Sequence, residues 1–312
     1  MPTIPSTSQR IKAVFRGADG LHIGWSALLF LTIFAAVLVV IGMVVAFMPH
    51  HPHHHPPMRL AMTRGRMIFT EFAQAFAVLA ATVVMGRVER KSWLDYSWRG
   101  PRRATRLIQG VLAGLILMSL LMCALVLTHG ATIRYSGGGW SLLISGATLA
   151  LGFALVALFE ESMFRGYLFF RLANGSGPYL AAIIMSLVFG VTHLGNHGED
   201  VLGILQVVVF GLVMCLAVWR TGSLWWALGF HAAWDWSESF LFGAADSGNI
   251  VKGHLLTTHA AGPAWLSGGS VGPEGSLMVL PLLALMAIWI VLTVSGKPRT
   301  KTAVDAHNVD AY

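Results

Sequence analysis

Long apolar runs alternate with short polar breaks along this chain. The runs fall at about 24–48, 67–87, 107–129, 141–173, 179–195, 201–220, 222–242 and 276–295. Most are close to, or longer than, the roughly 20 residues that carry a helix across the hydrocarbon core of a bilayer. The short alternating segments of a membrane β-barrel are missing. The pattern predicts an all-α, polytopic membrane helical bundle of about eight transmembrane helices. The first run is too long for the apolar part of a signal peptide and lacks a clear small-residue cleavage site, so it reads as a retained span.

The breaks divide the chain further. MPHHPHHHPPM at 48–58 cannot be regular helix, because its prolines remove donors and bias their neighbours to extended backbone. Its histidines at 50–55 make it an exposed irregular loop, with weak metal capture as the alternative. NGSGP at 174–178 marks a sharp turn between two spans. Residues 130–140 read as a turn-rich loop, and 243–275 as a long, Gly-rich, nearly uncharged one. Four regions follow: a cytoplasmic N-terminal segment, 1–22; a three-helix membrane region, 23–140; a core, 141–242, where the ionisable residues concentrate; and a loop, last transmembrane helix and cytoplasmic tail, 243–312. Internal repeats are not evident.

Composition narrows the class. Of 312 residues, 55% are hydrophobic and 11% charged, which excludes a compact soluble fold and disorder alike. The net charge of +7 sits mostly in short connections between spans, where Lys and Arg set topology rather than bind nucleic acid. The segment 88–106 carries Arg90, Lys91, Arg99, Arg102, Arg103 and Arg106 with Trp93, Tyr96 and Trp98 interleaved, the pattern of a cytoplasmic interfacial segment. Both termini are expected in the cytoplasm. Cys123 and Cys215 lie in apolar runs and read as core-filling residues, not as a disulfide framework.

Ionisable residues inside spans are costly and therefore candidates for function. They are Glu71, Glu160, Glu161, Arg165, His193, His231, Asp235 and Glu238. In ALFEESMFRGYLF, Glu161 and Arg165 are four apart in the favourable order for an intrahelical pair. Glu160 points about 100° away and lacks such a partner, so Glu161 reads as structural and Glu160 as a general base. In FGVTHLGNH, Phe189 and His193 share a helix face. Glu160 lies about 16 residues before the turn near 176 and His193 about 17 after it, which places them at equal depth in an antiparallel hairpin. In LGFHAAWDWSESF, His231, Asp235 and Glu238 follow at helical spacing on one face; Trp225, Trp226, Trp234 and Trp236 around them read as packing or interface anchors. Two chemistries fit. In one, Glu160 with His193 deprotonates a water while His231 and Asp235 stabilise an oxyanion. In the other, Glu160, His193 and His231 bind zinc that activates the water. HExxH is missing, so no metal is expected.

EExxxR (Glu160, Glu161, Arg165), FxxxH (Phe189, His193) and HxxxN/D (His231, Asp235), in this order on successive helices, resemble the CPBP family. These are the CAAX-protease and bacteriocin-processing intramembrane endopeptidases, also called Abi proteins. The resemblance covers about 141–242. It implies an eight-helix bundle with a water-accessible cavity and an intramembrane glutamic-type endopeptidase, in which Glu160 activates water with help from His193. It places His231 and Asp235 at the oxyanion site and leaves Glu161, Arg165 and Phe189 as motif support. The resemblance does not supply a particular substrate; the expectation is a membrane-associated peptide or protein substrate beside membrane lipids, with no cofactor, no nucleic acid, and a bacterial inner (cell) membrane location. The prenyl-protein enzymes carry Asn where this chain has Asp235. An ionised Asp235 would repel an oxyanion, so it must be protonated, be paired, or orient His231. A non-proteolytic scaffold or immunity protein and a proton-coupled transporter are the alternatives of other classes.

Overall fold

A computed structural model of the chain describes residues 16–17, 20–47, 64–196 and 198–294. The histidine-rich loop 50–55 lies outside the described residues, as do most of 1–22 and the tail from 295. Helices cover all eight apolar runs: α1 Ile23–Phe47, α2 Arg64–Glu89, α3 Arg103–Leu127, α4 Trp140–Glu161 continuing through α5 Leu168–Ser176, α6 Pro178–Thr192, α7 Val201–Thr221, α8 Trp225–Trp236 and α9 Val279–Thr293. Six of these segments are long and apolar enough to cross a membrane, α4–α5 counting as one of 37 residues. α8 and α9 are shorter.

The helices show why this sequence needs lipid around it. On α3, Met118, Leu121, Met122 and Leu125 are buried, while Leu112, Ile116 and Leu120 on other faces are about half exposed. Helices apolar on the outside as well as the inside suit hydrocarbon, since their backbone groups are satisfied within each helix. Small residues bring α3 and α8 together. A Cβ on Gly110 would stand 2.1 Å from the Trp226 carbonyl oxygen, one on Gly114 2.5 Å from that of Phe230, and one on Gly229 2.2 Å from that of Leu107. The two backbones are therefore in contact, the arrangement that glycine permits between membrane helices.

Two departures from α-helix bracket the middle of the bundle. Residues 162–167 form a π-helical turn between α4 and α5, with Gly166 off helical geometry at φ −85°, ψ −120°. Residues 237–241 form a second π turn after α8. Such turns rotate the side chains that follow them and occur often at functional sites. At the NGSGP break, Gly177 takes φ +87° and Pro178 opens α6.

Alternation of helix direction gives the bundle two ends. One end holds the α2–α3 connection, the α5–α6 turn and the α7–α8 turn. Here buried Glu89 receives hydrogen bonds from Tyr96 and Tyr167 and pairs with Arg171 at 3.3 Å, which fastens the 88–106 segment to α5. The other end holds the connections after α3, α6 and α8. The sequence pattern gives loops at 130–140 and 243–275, but each contains a strand. β1 Ala131–Tyr135 and β2 Leu256–Ala260 pair antiparallel, from Ala131 opposite Ala260 to Tyr135 opposite Leu256. Five-residue strands separated by more than a hundred residues leave little periodic signal. The sheet and backbone hydrogen bonds such as Leu255 N to Phe240 O at 2.8 Å and Gly248 N to Val271 O at 2.8 Å hold the 243–275 segment over this end.

The glycine contact between α3 and α8 gives a test. Gly110→Ala is expected to lower thermal stability in detergent by about 1–3 kcal/mol, the usual cost of overpacking. Gly42→Ala, whose Cβ meets nothing within 4 Å, should leave it unchanged or slightly raised. Thermal unfolding of the two variants beside the parent chain checks this.

Candidate active site

The site begins with two adjacent acids at the end of α4. Glu161 is fully buried, and its Oε1 lies 3.1 Å from Nη1 of Arg165, itself buried in the first π turn. The same Oε1 lies 2.9 Å from Nδ1 of His231 on α8. A carboxylate can only accept, so Nδ1 carries the hydrogen and donates. One oxygen thus joins α4, the π turn and α8.

Arg165 carries the connection to α6. Its guanidinium carbon lies 4.2 Å from the centroid of the Phe189 ring, within cation–π range. The Phe189 ring stands edge-on to the imidazole of His193, centroids 4.5 Å apart. Nδ1 of His193 donates to the Phe189 carbonyl at 2.8 Å. In the neutral ring this leaves Nε2 as an acceptor. The FxxxH spacing is therefore structural twice over: Phe189 braces Arg165 through its ring and holds the His193 tautomer through its carbonyl.

Glu160 takes no part in that network. Its side chain is 20% exposed where that of Glu161 is 0%, and it lines the main cavity. Its Oε2 stands 3.6 Å from Nε2 of His231, and Oδ2 of Asp235 stands 3.5 Å from the same nitrogen. These are ion-pair distances, too long for direct hydrogen bonds. The cavity has a volume of about 1270 Å³ and is lined by Glu160, Phe189, His193, His231 and Asp235 together. It is larger than a typical small-molecule pocket and has room for an extended peptide segment. The zinc alternative would need ligand atoms of Glu160, His193 and His231 in one cluster, but among the described residues the acids and histidines that come within 4.8 Å of one another as a group are Glu238, Asp246 and Glu274.

The structure adds residues that the motifs do not mark. Glu71 and Gln74 from α2, Gln206 from α7, and Asp246 and Glu274 from the 243–275 segment also line the cavity. Glu71 stands out in the sequence as an acid within a span, but without a spaced partner. Gln206 donates to the Ser276 carbonyl at 2.7 Å, which ties α7 to the start of α9. Asp246 sits outside the spans; burial, then Asp235 and Glu274 nearby, push its carboxyl well above the usual range. One expectation is corrected. Helical spacing placed Glu238 on the face of His231 and Asp235, but the second π turn rotates it off the cavity, and it meets Asp246 and Glu274 instead.

The buried network predicts that the adjacent acids differ sharply in what they support. Glu161→Gln removes the charge facing buried Arg165 and should destabilise the fold by roughly 3–5 kcal/mol, the cost of breaking a buried pair. Glu160→Gln leaves every hydrogen bond of that network intact and should change unfolding by less than about 1 kcal/mol. Chemical unfolding in a mild detergent distinguishes them.

Comparison with known proteins matches the same stretch. Residues 142–237 fit the family model described as type II CAAX prenyl endopeptidase Rce1-like. A comparison with curated proteins gave no match, and one with solved structures gave none. The matched stretch runs from the start of α4 to the end of α8 and holds Glu160, Glu161, Arg165, Phe189, His193, His231 and Asp235 in order. With six helices able to span a bilayer, the chain is an integral membrane protein, and its residues 142–237 are similar to the CPBP, or CAAX-protease, family.

Proposed function

We propose that the chain hydrolyses a peptide bond of a membrane-associated peptide or protein with a water activated by Glu160. The observation that carries this is the division of labour between the two acids: Glu161 is spent on Arg165 and His231, while Glu160 faces the cavity, 3.6 Å from His231, and shares its lining with His193. A water between Glu160 and Nε2 of His193 gives its proton to the Glu160 carboxylate as it attacks the scissile carbonyl. His231 works as an imidazolium, with Nδ1–H held by Glu161 and Nε2–H offered to the oxyanion. Asp235, protonated, is the second donor beside it. Glu160 then passes its proton to the leaving nitrogen as the C–N bond breaks, giving a carboxylic acid and an amine, between which the remaining water proton equilibrates as carboxylate and ammonium. No cofactor enters the reaction.

The cavity also has a side. Its lining includes Arg64, Asn196, Asn249, Lys252 and Glu274, all at the sheet end of the bundle. Arg87, Arg90, Lys91, Arg99, Arg102, Arg103, Arg106 and Arg220 sit at the opposite end. The positive-inside rule makes that opposite end cytoplasmic, with both termini, in a bacterial inner membrane. Substrate therefore enters from the extracytoplasmic side. A peptide presented there fits; a prenylated tail held at the cytoplasmic surface would meet the wrong end.

Proteomics of membrane fractions from cells carrying the parent chain or Glu160→Gln identifies substrates, whose cleavage is then measured with purified protein. Glu160→Gln should lose about 10²–10⁴-fold in turnover, the range for general base catalysis. Asp235→Asn, which keeps a donor at every pH, should retain activity and extend it to higher pH. Asp235→Ala should lose about 10²-fold. Full turnover by Glu160→Gln on a verified substrate would rule the mechanism out, and equal damage in Asp235→Asn and Asp235→Ala would show that the negative charge of Asp235 is what matters.

A further inference from the structure

A second group of carboxylates lies behind the cavity wall. Glu238 from the second π turn, Asp246 from the segment after it, and Glu274 just before α9 each bring a carboxylate oxygen within 4.8 Å of the other two. Three acids alone do not make a site. The condition of Glu238 is the separate observation. Its side chain is completely buried, yet neither carboxylate oxygen has a hydrogen-bond partner among the described residues. A buried carboxylate in that condition is among the costliest arrangements a protein can hold unless something positive stands against it.

The chain is also shaped to close over this point. Gly272, at φ +123°, packs so tightly that a Cβ there would stand 2.0 Å from the Ala245 carbonyl oxygen and 3.2 Å from Oε1 of Glu238. The Glu274 carboxylate is aimed by two donors, the backbone N–H of Ser247 at 2.7 Å and its hydroxyl at 2.8 Å, both to Oε1. The Ser239 hydroxyl reaches Oδ2 of Asp246 at 3.5 Å. Asp246 and Glu274 are thus oriented by neighbours, whereas no ion pair to Glu238 is present among the described residues: Arg165 is engaged by Glu161, and Lys252 lines the cavity rather than this cluster.

We propose that Glu238, Asp246 and Glu274 bind one hard divalent cation, Ca²⁺ being the best fit. Carboxylate oxygens alone suit Ca²⁺, Mg²⁺ or Mn²⁺ over the softer metals that prefer nitrogen and sulfur. Oxygens on opposite sides of one Ca²⁺ stand about 4.6–5.2 Å apart, and around Mg²⁺ about 4.0–4.2 Å, so a spread of up to 4.8 Å takes Ca²⁺ with the least movement. The ion links the end of α8 to both ends of the 243–275 segment. Asp246 and Glu274 also line the cavity, so the ion sets the wall through which substrate passes. It is separate from the zinc alternative at Glu160, His193 and His231, and its binding is read without any substrate, so its outcome stands apart from that of the peptidase reading.

Purified full-length protein in detergent, stripped with EDTA, is titrated with CaCl2, and with MgCl2 and MnCl2 in parallel arms. Equilibrium dialysis and thermal unfolding are the readouts. Saturable binding of one ion at roughly 10⁻⁴–10⁻³ M is expected, with a rise in Tm of several degrees. Glu238→Gln should abolish both responses, yet in EDTA should unfold close to the temperature of the parent chain, because the amide matches the uncharged acid in size and charge. Glu160→Gln should bind the ion as the parent does. If Glu238→Gln fails to fold, Asp246→Asn and Glu274→Gln are read in the same way. No saturable binding of any of the three ions up to about 10 mM would overturn the proposal. Undiminished binding in the folded variants would overturn it as well.

Discussion

A single carboxylate oxygen deep in the bundle organises the site. Oε1 of Glu161 accepts from Arg165 at 3.1 Å and from His231 at 2.9 Å, and neither of its partners has meaningful access to water. In a membrane protein such a group has few alternatives, because an unpaired charge in that setting costs several kcal/mol. The consequence is geometric. α4, the first π turn and α8 cannot shift independently, and Arg165 is held over the ring of Phe189, which in turn holds His193. Three separate sequence motifs are thereby one physical object. The adjacent acid, Glu160, is left outside this network and open to the cavity.

Much of this could be read in advance, for reasons that can be named. Eight apolar runs are a strong signal, because bilayer thickness imposes a length on each. The Glu161–Arg165 pair follows from helical spacing and survives the passage into the π turn. NGSGP announces its turn through Gly177 and Pro178. His231 as a second partner of Glu161 had no such signal, since α4 and α8 are joined only by tertiary packing. Glu238 was misplaced because helical spacing was carried through residues 237–241, where the helix widens. β1 and β2 were missed because each is short and draws its stability from a distant partner. The acids Asp246 and Glu274 reach the cavity from a segment whose sequence reads only as a Gly-rich connection.

The two π turns give the fold its functional character. A 37-residue helix from Trp140 to Ser176 would otherwise run straight past the middle of the bundle. The turn at 162–167 buries Arg165 beneath Glu161, and the one at 237–241 ends α8 just after Asp235 and hands the chain to the 243–275 segment. That segment, pinned by the β1–β2 pairing, contributes Asp246 to Lys252 and Glu274 to the cavity lining at one end of the bundle. The opposite end carries the basic residues and the aromatic knot around Glu89.

The central claim is that Glu161 and Arg165 form an obligate buried unit. A double-mutant cycle on unfolding free energy, using Glu161→Gln, Arg165→Met and the two combined, tests it most directly. The account predicts strong coupling: each single variant strands a buried group, and the double variant loses less than the sum of the two by about 2–3 kcal/mol. Additive losses, within about 0.5 kcal/mol, would mean that the two side chains are stabilised independently and that this oxygen does not organise the site.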